Sequence, residues 1–362
     1  MTTIRSLAGV ALALVPCAAA LAQGSVTMYG ILDNGYLSDK TQGKGTINAI
    51  NPSLSVASRW GLRGTEDLGN GWKANFVLEN GFTGDNGQQA FGRLFGRASY
   101  VGLSSRQLGQ IQLGRMANLG LLFTAGMMSP FGPSFQQAAV TTTAAYNTGD
   151  FGTTSRVNNA VYYFSPRWSG VQAGLGYSLQ TADVEAAGGS RNNRMADLGL
   201  RYDGGRFKVA VSYQYVMPAS MAGARGKPSN LQVGVNHDFG VFTLYGGYGR
   251  LNDPTVDPGA NGATNFAATH DRDHAYQVGV KVPVGAGRVL LGYQWTTGSK
   301  IENYGLAYVY DLSKRTWLYV YANRTEFRLF STSGATVGDA WRRQIAMGIA
   351  HRFLPVRGTQ SP

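Results

Sequence analysis

Leu54-Ser55-Val56-Ala57-Ser58-Arg59-Trp60-Gly61-Leu62-Arg63 alternates in polarity residue by residue. Leu54, Val56, Trp60 and Leu62 share one face, while Ser55, Ala57, Arg59, Gly61 and Arg63 share the other. A period of two is the mark of a strand with one apolar face; a helix would repeat every 3.6 residues. The same dyad recurs in Gln344-Ile345-Ala346-Met347-Gly348-Ile349, in Gly109-Gln110-Ile111-Gln112-Leu113-Gly114 and in Leu231-Gln232-Val233-Gly234-Val235. Several such runs end in aromatics, among them Tyr162, Tyr163 and Phe164, or Trp317, Tyr319 and Tyr321, read as an interfacial girdle.

Sixteen segments of this kind follow one another. They lie at 25–37, 54–67, 72–82, 91–103, 108–116, 156–165, 170–181 and 195–203. The second half holds 206–217, 230–238, 241–251, 272–282, 286–297, 303–311, 315–326 and 341–353. Seven connections are tight, such as Leu68-Gly69-Asn70-Gly71 and Gly204-Gly205. Between them fall eight that are mostly longer, at 38–53, 83–90, 117–155, 182–194, 218–229, 252–271, 298–302 and 327–340. Alternating short and long connections are what an up-and-down antiparallel barrel in a membrane produces, with short periplasmic turns and long external loops. An even strand number puts both ends on the periplasmic side. A soluble sandwich or propeller also alternates, but it would keep a charged exterior, and no repeat of propeller length is present.

Composition agrees. Charged residues are 14%, against roughly 25% in soluble domains. The polar faces are rich in Gly, Ser, Gln and Asn, which suits a wide wet lumen. The formal net charge of +12 favours anionic partners of some kind. Residues 1–22 read as a cleaved secretory signal, with Arg5 as its positive end, Ala8 to Leu14 as its apolar stretch and Ala20-Leu21-Ala22 before the cut. The one cysteine, Cys17, lies within it, so residues 23–353 form the barrel without thiol chemistry. Past residue 22 no apolar run approaches the ~20 residues a spanning helix needs.

These segments carry a family resemblance. Ser25-Val26-Thr27-Met28-Tyr29-Gly30-Ile31-Leu32-Asp33 resembles the first strand of Gram-negative general-diffusion porins, above all the betaproteobacterial anion-selective trimeric branch. Ser58 to Gly71, Leu78-Glu79-Asn80-Gly81-Phe82, Leu113-Gly114-Arg115 and Arg156 to Tyr163 match as well, and Met347 to Phe353 is similar to the closing strand. The resemblance spans the mature chain. It implies a 16-stranded antiparallel transmembrane β-barrel in the outer membrane, assembled as a homotrimer, with the third loop folded into the lumen. In the family an aromatic normally ends the chain and signals to the barrel-assembly machinery; here Phe353 is followed by an extension, 354–362.

A channel of this kind does no chemistry, and its site is a constriction whose charge and width decide what passes. The longest connection, 117–155, holds Leu119, Leu121, Leu122, Phe123, Met127, Met128, Phe131 and Phe135, an odd patch to expose to water. Folded against the inner wall it becomes a constriction loop, with one short helix near Leu119 to Ala125. Arg59 and Arg63 face the lumen by parity with Trp60 and Leu62. Arg97 is inward if Leu94 and Tyr100 face lipid, and Arg156 if Val157 and Val161 do. The resemblance maps the basic eyelet cluster onto Arg59, Arg97, Arg115 and Arg156, with Arg324 as a fifth member. Strict alternation with Ile111 and Leu113 would turn Arg115 outward, so it needs a bend in the chain. Cation-preferring relatives place several carboxylates on the constriction loop; 117–155 has one acid, Asp150. The expectation is passive diffusion of small hydrophilic solutes with a preference for anions.

Two other functional readings stay open: a channel specific for one anion or organic acid, and an outer-membrane hydrolase. The hydrolase would need Ser, His and a carboxylate together, and no strand-borne histidine has such a partner in the sequence. His270-Asp271-Arg272-Asp273-His274 resembles a metal cluster, yet Arg272 in its midst repels a cation, so no metal or cofactor is expected. His351 is placed on the lipid side near the rim. Nucleic-acid binding would need aromatic platforms on an accessible basic patch and is not expected.

Overall fold

The computed structural model describes residues 24–133, 135, 155–181, 185–188, 192–219, 228–252, 272–298, 300–330 and 336–353. The signal at 1–22 and the extension at 354–362 lie outside them. The first half contains β1 (Ser25–Thr41), β2 (Thr46–Pro52), β3 (Arg59–Gly69), β4 (Trp72–Gly81), β5 (Ala98–Ser105), β6 (Gly109–Ala117), β7 (Arg156–Phe164), β8 (Val171–Ser178) and β9 (Arg194–Gly204). The second contains β10 (Phe207–Met217), β11 (Ser229–Asp238), β12 (Thr243–Asn252), β13 (Arg272–Val284), β14 (Gly287–Thr296), β15 (Glu302–Asp311), β16 (Thr316–Phe330) and β17 (Thr336–Phe353).

From β3 to β17 each strand pairs antiparallel with the next, and β1 pairs with β17 from Gly30↔Phe353 to Thr41↔Arg342, which closes the sheet. β2 and β3 share one position in the wall: β1 meets β3 along Ser25–Ile31 and β2 along Asn34–Lys40. The result is a closed barrel of sixteen antiparallel wall positions, as the resemblance implies. Closure leaves no sheet edge, which is the condition for strands to cross lipid. No described helix is long and apolar enough to cross a membrane.

Large apolar side chains cover the outside, including Val101, Leu113, Leu200, Leu306, Val320 and Ile349. Amide and hydroxyl side chains such as Gln112, Gln232, Gln277, Asn303 and Gln344 line the opposite face. Short turns gather at one end, for example at Asn70-Gly71, where Asn70 (φ 52°) and Gly71 (φ 81°) are both left-handed, the backbone a two-residue hairpin of matching twist requires.

Four expectations are corrected. The single strand expected over 54–67 is broken: residues 53–58 dip inward and the wall resumes at Arg59. The Asp33 carboxylate causes the dip by accepting from Ser55 N (2.8 Å), Ser55 Oγ (2.5 Å) and Val56 N (2.6 Å). Leu54 is therefore buried inside the barrel rather than facing lipid. The strand expected at 91–103 begins only at Ala98. Connections 38–53 and 327–340 shrink because β1, β2, β16 and β17 run further than their polarity pattern. Trp317, Tyr319 and Tyr321 point inward, not into a girdle: Tyr319 donates to Asp33 Oδ1 (2.5 Å), and Leu318 and Val320 of β16 take the lipid side.

Candidate functional site

After β6 the chain turns into the barrel instead of out to solvent. Residues Gly120–Thr124 form a single π turn and Ala125–Met128 a short α-helix (α1), extending the helix expected near Leu119 to Ala125. Asp197 on β9 anchors the entry, accepting from Leu119 N (2.7 Å) and from Tyr162 Oη (2.7 Å). Further along, Thr124 Oγ1 donates to Gln232 Oε1 (2.7 Å) and Asn236 Nδ2 donates to the Met127 carbonyl (3.3 Å). At the far end Phe135 N donates to the Ser55 carbonyl (2.8 Å), and the Phe135 ring meets Phe131, Tyr319 and Tyr321 edge-on at 5.6–5.9 Å. The inserted segment thus lies against the inner wall from β8 round to β16.

The wall is cut to receive it. A Cβ on Gly174 would come within 2.8 Å of Leu119, on Gly199 within 2.9 Å of Phe123, on Gly247 within 2.7 Å of Met128 and on Gly279 within 2.5 Å of Pro130. Leu119, Phe123, Met127, Met128, Phe131 and Phe135 are all buried there, so the apolar set is packed inside, as expected.

The arginines stand on the remaining arc, β3 to β7. Glu79 of β4 is the partner of two of them. Arg97 Nε donates to its Oε1 (2.7 Å), Arg59 Nε lies 3.7 Å from its Oε2, and the Tyr29 hydroxyl donates to Oε2 (2.9 Å). Tyr29, Gly61 and Glu79 sit in one register row, and the Tyr29 ring crosses over Gly61, where a Cβ would meet it at 2.9 Å. Arg156 Nη1 donates to the Arg97 carbonyl (2.9 Å), and its guanidinium lies 5.7 Å from the Phe91 ring centre. Arg115 Nη1 donates to Asn158 Oδ1 (2.5 Å) and Nε to the Gly96 carbonyl (2.9 Å). Arg59, Arg97, Arg115 and Arg156 are brought together.

Their route inward differs from strict alternation. The register slips between Gly114 (φ 138°) and Met116, and this bulge is the bend that turns Arg115 inward. The premises for two others fail. Tyr100 packs inside with the apolar cluster of the inserted segment, and so does fully buried Val157; Arg97 instead precedes β5, and Asn159 (φ 48°) breaks the alternation of β7. Arg63 faces the lumen, 5.5 Å over the Tyr29 ring.

Arg324 does not join the cluster. It shares the outward parity of Leu318 and Val320, pairs with Glu326 (2.8 Å) and lies 5.8 Å from the Trp341 ring. Asp150 falls outside the described residues. Two members were missed by the sequence reading: Glu79, although its parity with Asn75 marks it as inward, and Arg93, whose Nη1 reaches Asn158 Oδ1 (3.4 Å) from an irregular stretch with no periodicity to read. Of the histidines, His274 Nδ1 bonds the Tyr248 hydroxyl (2.8 Å) and His351 Nδ1 bonds Thr316 Oγ1 (2.9 Å) at the outer rim, where it was expected.

Comparison with known proteins gives a consistent result. A family model described as Gram-negative porin matches residues 8–328. An outer membrane porin protein of Bordetella pertussis is 34% identical, the match covering 92% of this chain and 96% of the relative. Outer membrane porin protein 32 of Delftia acidovorans is 33% identical over 83% of this chain and 84% of its own length. Among solved structures, the anion-selective porin from Comamonas acidovorans superposes with a TM-score of 0.68 at 26% identity, covering 91% of this chain and 100% of that one. With its closed sixteen-position wall, apolar exterior and inserted third loop, the chain belongs to the Gram-negative porin family and is a channel of the outer membrane.

Proposed function

We propose that this porin passes small hydrophilic solutes by passive diffusion and prefers anions, and that the arginines of β3 to β7, opposite the inserted segment, set the preference. The observation that carries this is the gathering of Arg59, Arg97, Arg115 and Arg156 on one arc, where Glu79 pairs with Arg59 and Arg97 while Arg115 and Arg156 donate to the neutral oxygens of Asn158, Gly96 and Arg97. With Arg93 added and Asp150 counted against them, five guanidiniums still outnumber two carboxylates. Two unit charges at 4 Å interact by about 4 kcal/mol at an effective dielectric of 20, and about 1.4 kcal/mol changes an equilibrium tenfold. A fraction of that interaction biases entry several-fold toward chloride over potassium. The selectivity in the name of the Comamonas acidovorans porin supports the same reading.

The remaining assignments form part of the proposal. Residues 1–22 are removed on export, 23–353 form the barrel with 117–155 as constriction loop, and 354–362 are a C-terminal extension. The functional unit is a homotrimer in contact with outer-membrane lipid, inserted by the barrel-assembly machinery. Trimeric assembly is supported by a structural neighbour, a Vibrio cholerae outer membrane protein recorded in trimer form. Ion substitution tests the selectivity: replacing chloride by a bulky organic anion should lower single-channel current far more than replacing potassium by a bulky cation of equal mobility. The opposite order refutes it.

A further inference from the structure

A cavity of about 510 Å³ opens inside the barrel, between the inserted segment, the dip at 53–58 and the wall from β14 to β17, beside the short turn at Ser313 and Lys314. Its apolar lining comes from Val56, Pro130, Phe131, Leu290, Val309 and Trp317. Phe131, Leu290 and Val309 belong to the buried cluster at the far end of the inserted segment, and Trp317 packs against that cluster. The indole Nε1 donates to Ser55 Oγ (3.2 Å), so the only polar atom of the ring is already used. Most of the lumen wall presents amides and hydroxyls instead. An apolar recess in a water-filled pore gives an inorganic ion nothing to bind; it suits a solute with an apolar body.

The same cavity carries charge. Arg288, Lys314 and Arg352 line it against one acid, Asp311, which is taken by Arg288 (2.6 Å). Among the described residues neither Lys314 nor Arg352 meets a carboxylate. The Arg352 guanidinium lies 5.7 Å from the Trp317 ring centre, which sets a cation and an aromatic surface side by side. Ile31 of β1 is registered opposite Arg59 on one side and Arg352 on the other, so the two arginines stand two strands apart in one row, with about 10 Å between their backbones. Arg352 is therefore the next cation along the wall from the eyelet arc. Its planar fork of donors matches a carboxylate.

We propose that this cavity is a binding site for aromatic carboxylates, distinct from the eyelet, with the ring against Trp317 and Phe131 and the carboxylate on Arg352 and Lys314. The inference rests on the barrel being a solute channel, but not on its preference for chloride over potassium. Titration calorimetry on full-length protein in mild detergent, with protein-free micelles subtracted, should show 2-naphthoate binding once per barrel. It should bind at least tenfold tighter than acetate, which lacks the ring, and than 2-naphthylmethanol, which lacks the charge. Arg352→Gln should weaken 2-naphthoate about tenfold, and Lys314→Gln should act in the same direction. Arg156→Gln should leave 2-naphthoate binding within about twofold while the zero-current potential moves toward zero. Equal binding of the neutral alcohol or of acetate overturns the proposal, as does an Arg352→Gln variant that binds as before. Loss of binding in Arg156→Gln puts the anion in the eyelet and overturns it too. An anion-selective potential in a protein that binds no 2-naphthoate overturns this site alone and leaves the selectivity standing.

Discussion

Glu79 gathers two guanidiniums and a phenol on one side chain, and its replacement shows what one carboxylate does in a field of arginines. Glu79→Gln keeps the shape and removes the charge, so the preference for anions should rise about two-fold or more, measured as a larger reversal potential of unchanged sign. The same reasoning separates two arginines that look alike in sequence. Arg156 reaches the lumen cluster, whereas Arg324 lies outside with Glu326. Arg324→Ala should leave selectivity where it was. Parity alone could have placed Arg324, since Leu318, Val320 and Ala322 precede it at steps of two. The tyrosines of β16 obscured it: aromatics were read as girdle, and here they close on Asp33 and Phe135 from within. Arg115 shows the reverse. Its outward parity was overruled by a bulge at Gly114, a conformation that polarity patterns do not report.

At the scale of an element, the inserted segment is held by a few polar clips over a floor of glycines. Asp197→Ala strips the acceptor from both the Leu119 amide and the Tyr162 hydroxyl, and a buried donor left without a partner costs about 1–3 kcal/mol. The entry of the segment should loosen, seen as noisier and larger single-channel current in a barrel that still folds. Gly247→Val acts from the wall side, driving a side chain into Met128, and should give the same electrical signature by displacing α1. The insertion was legible because Leu119, Phe123, Met127, Phe131 and Phe135 have no reason to sit in water. Its path across the wall was not, since contacts between Leu119 and Gly174 or Phe135 and Tyr321 join positions far apart in the chain. The dip at 53–58 escaped for a similar reason: Leu54 and Val56 alternate like strand residues, and only Asp33, on another strand, pulls them inward.

The whole molecule is a low-dielectric cylinder around water, narrowed on one arc by the inserted segment and charged on the other. A field focused in such a pore is screened by salt, with a Debye length of about 10 Å at 0.1 M and about 3 Å at 1 M. Anion preference should therefore fall steadily across that range while conductance rises. Strand number and closure followed from the alternation of polarity and of loop length, because both are imposed by lipid on every strand at once. The most direct measurement is the zero-current potential across a planar bilayer in a potassium chloride gradient, taken for the natural protein, Arg156→Ala and Arg324→Ala under identical conditions. The account predicts an anion-selective potential for the first, a clear shift toward zero for the second and no shift for the third. A cation-selective potential in the natural protein, or equal shifts in both variants, would contradict it.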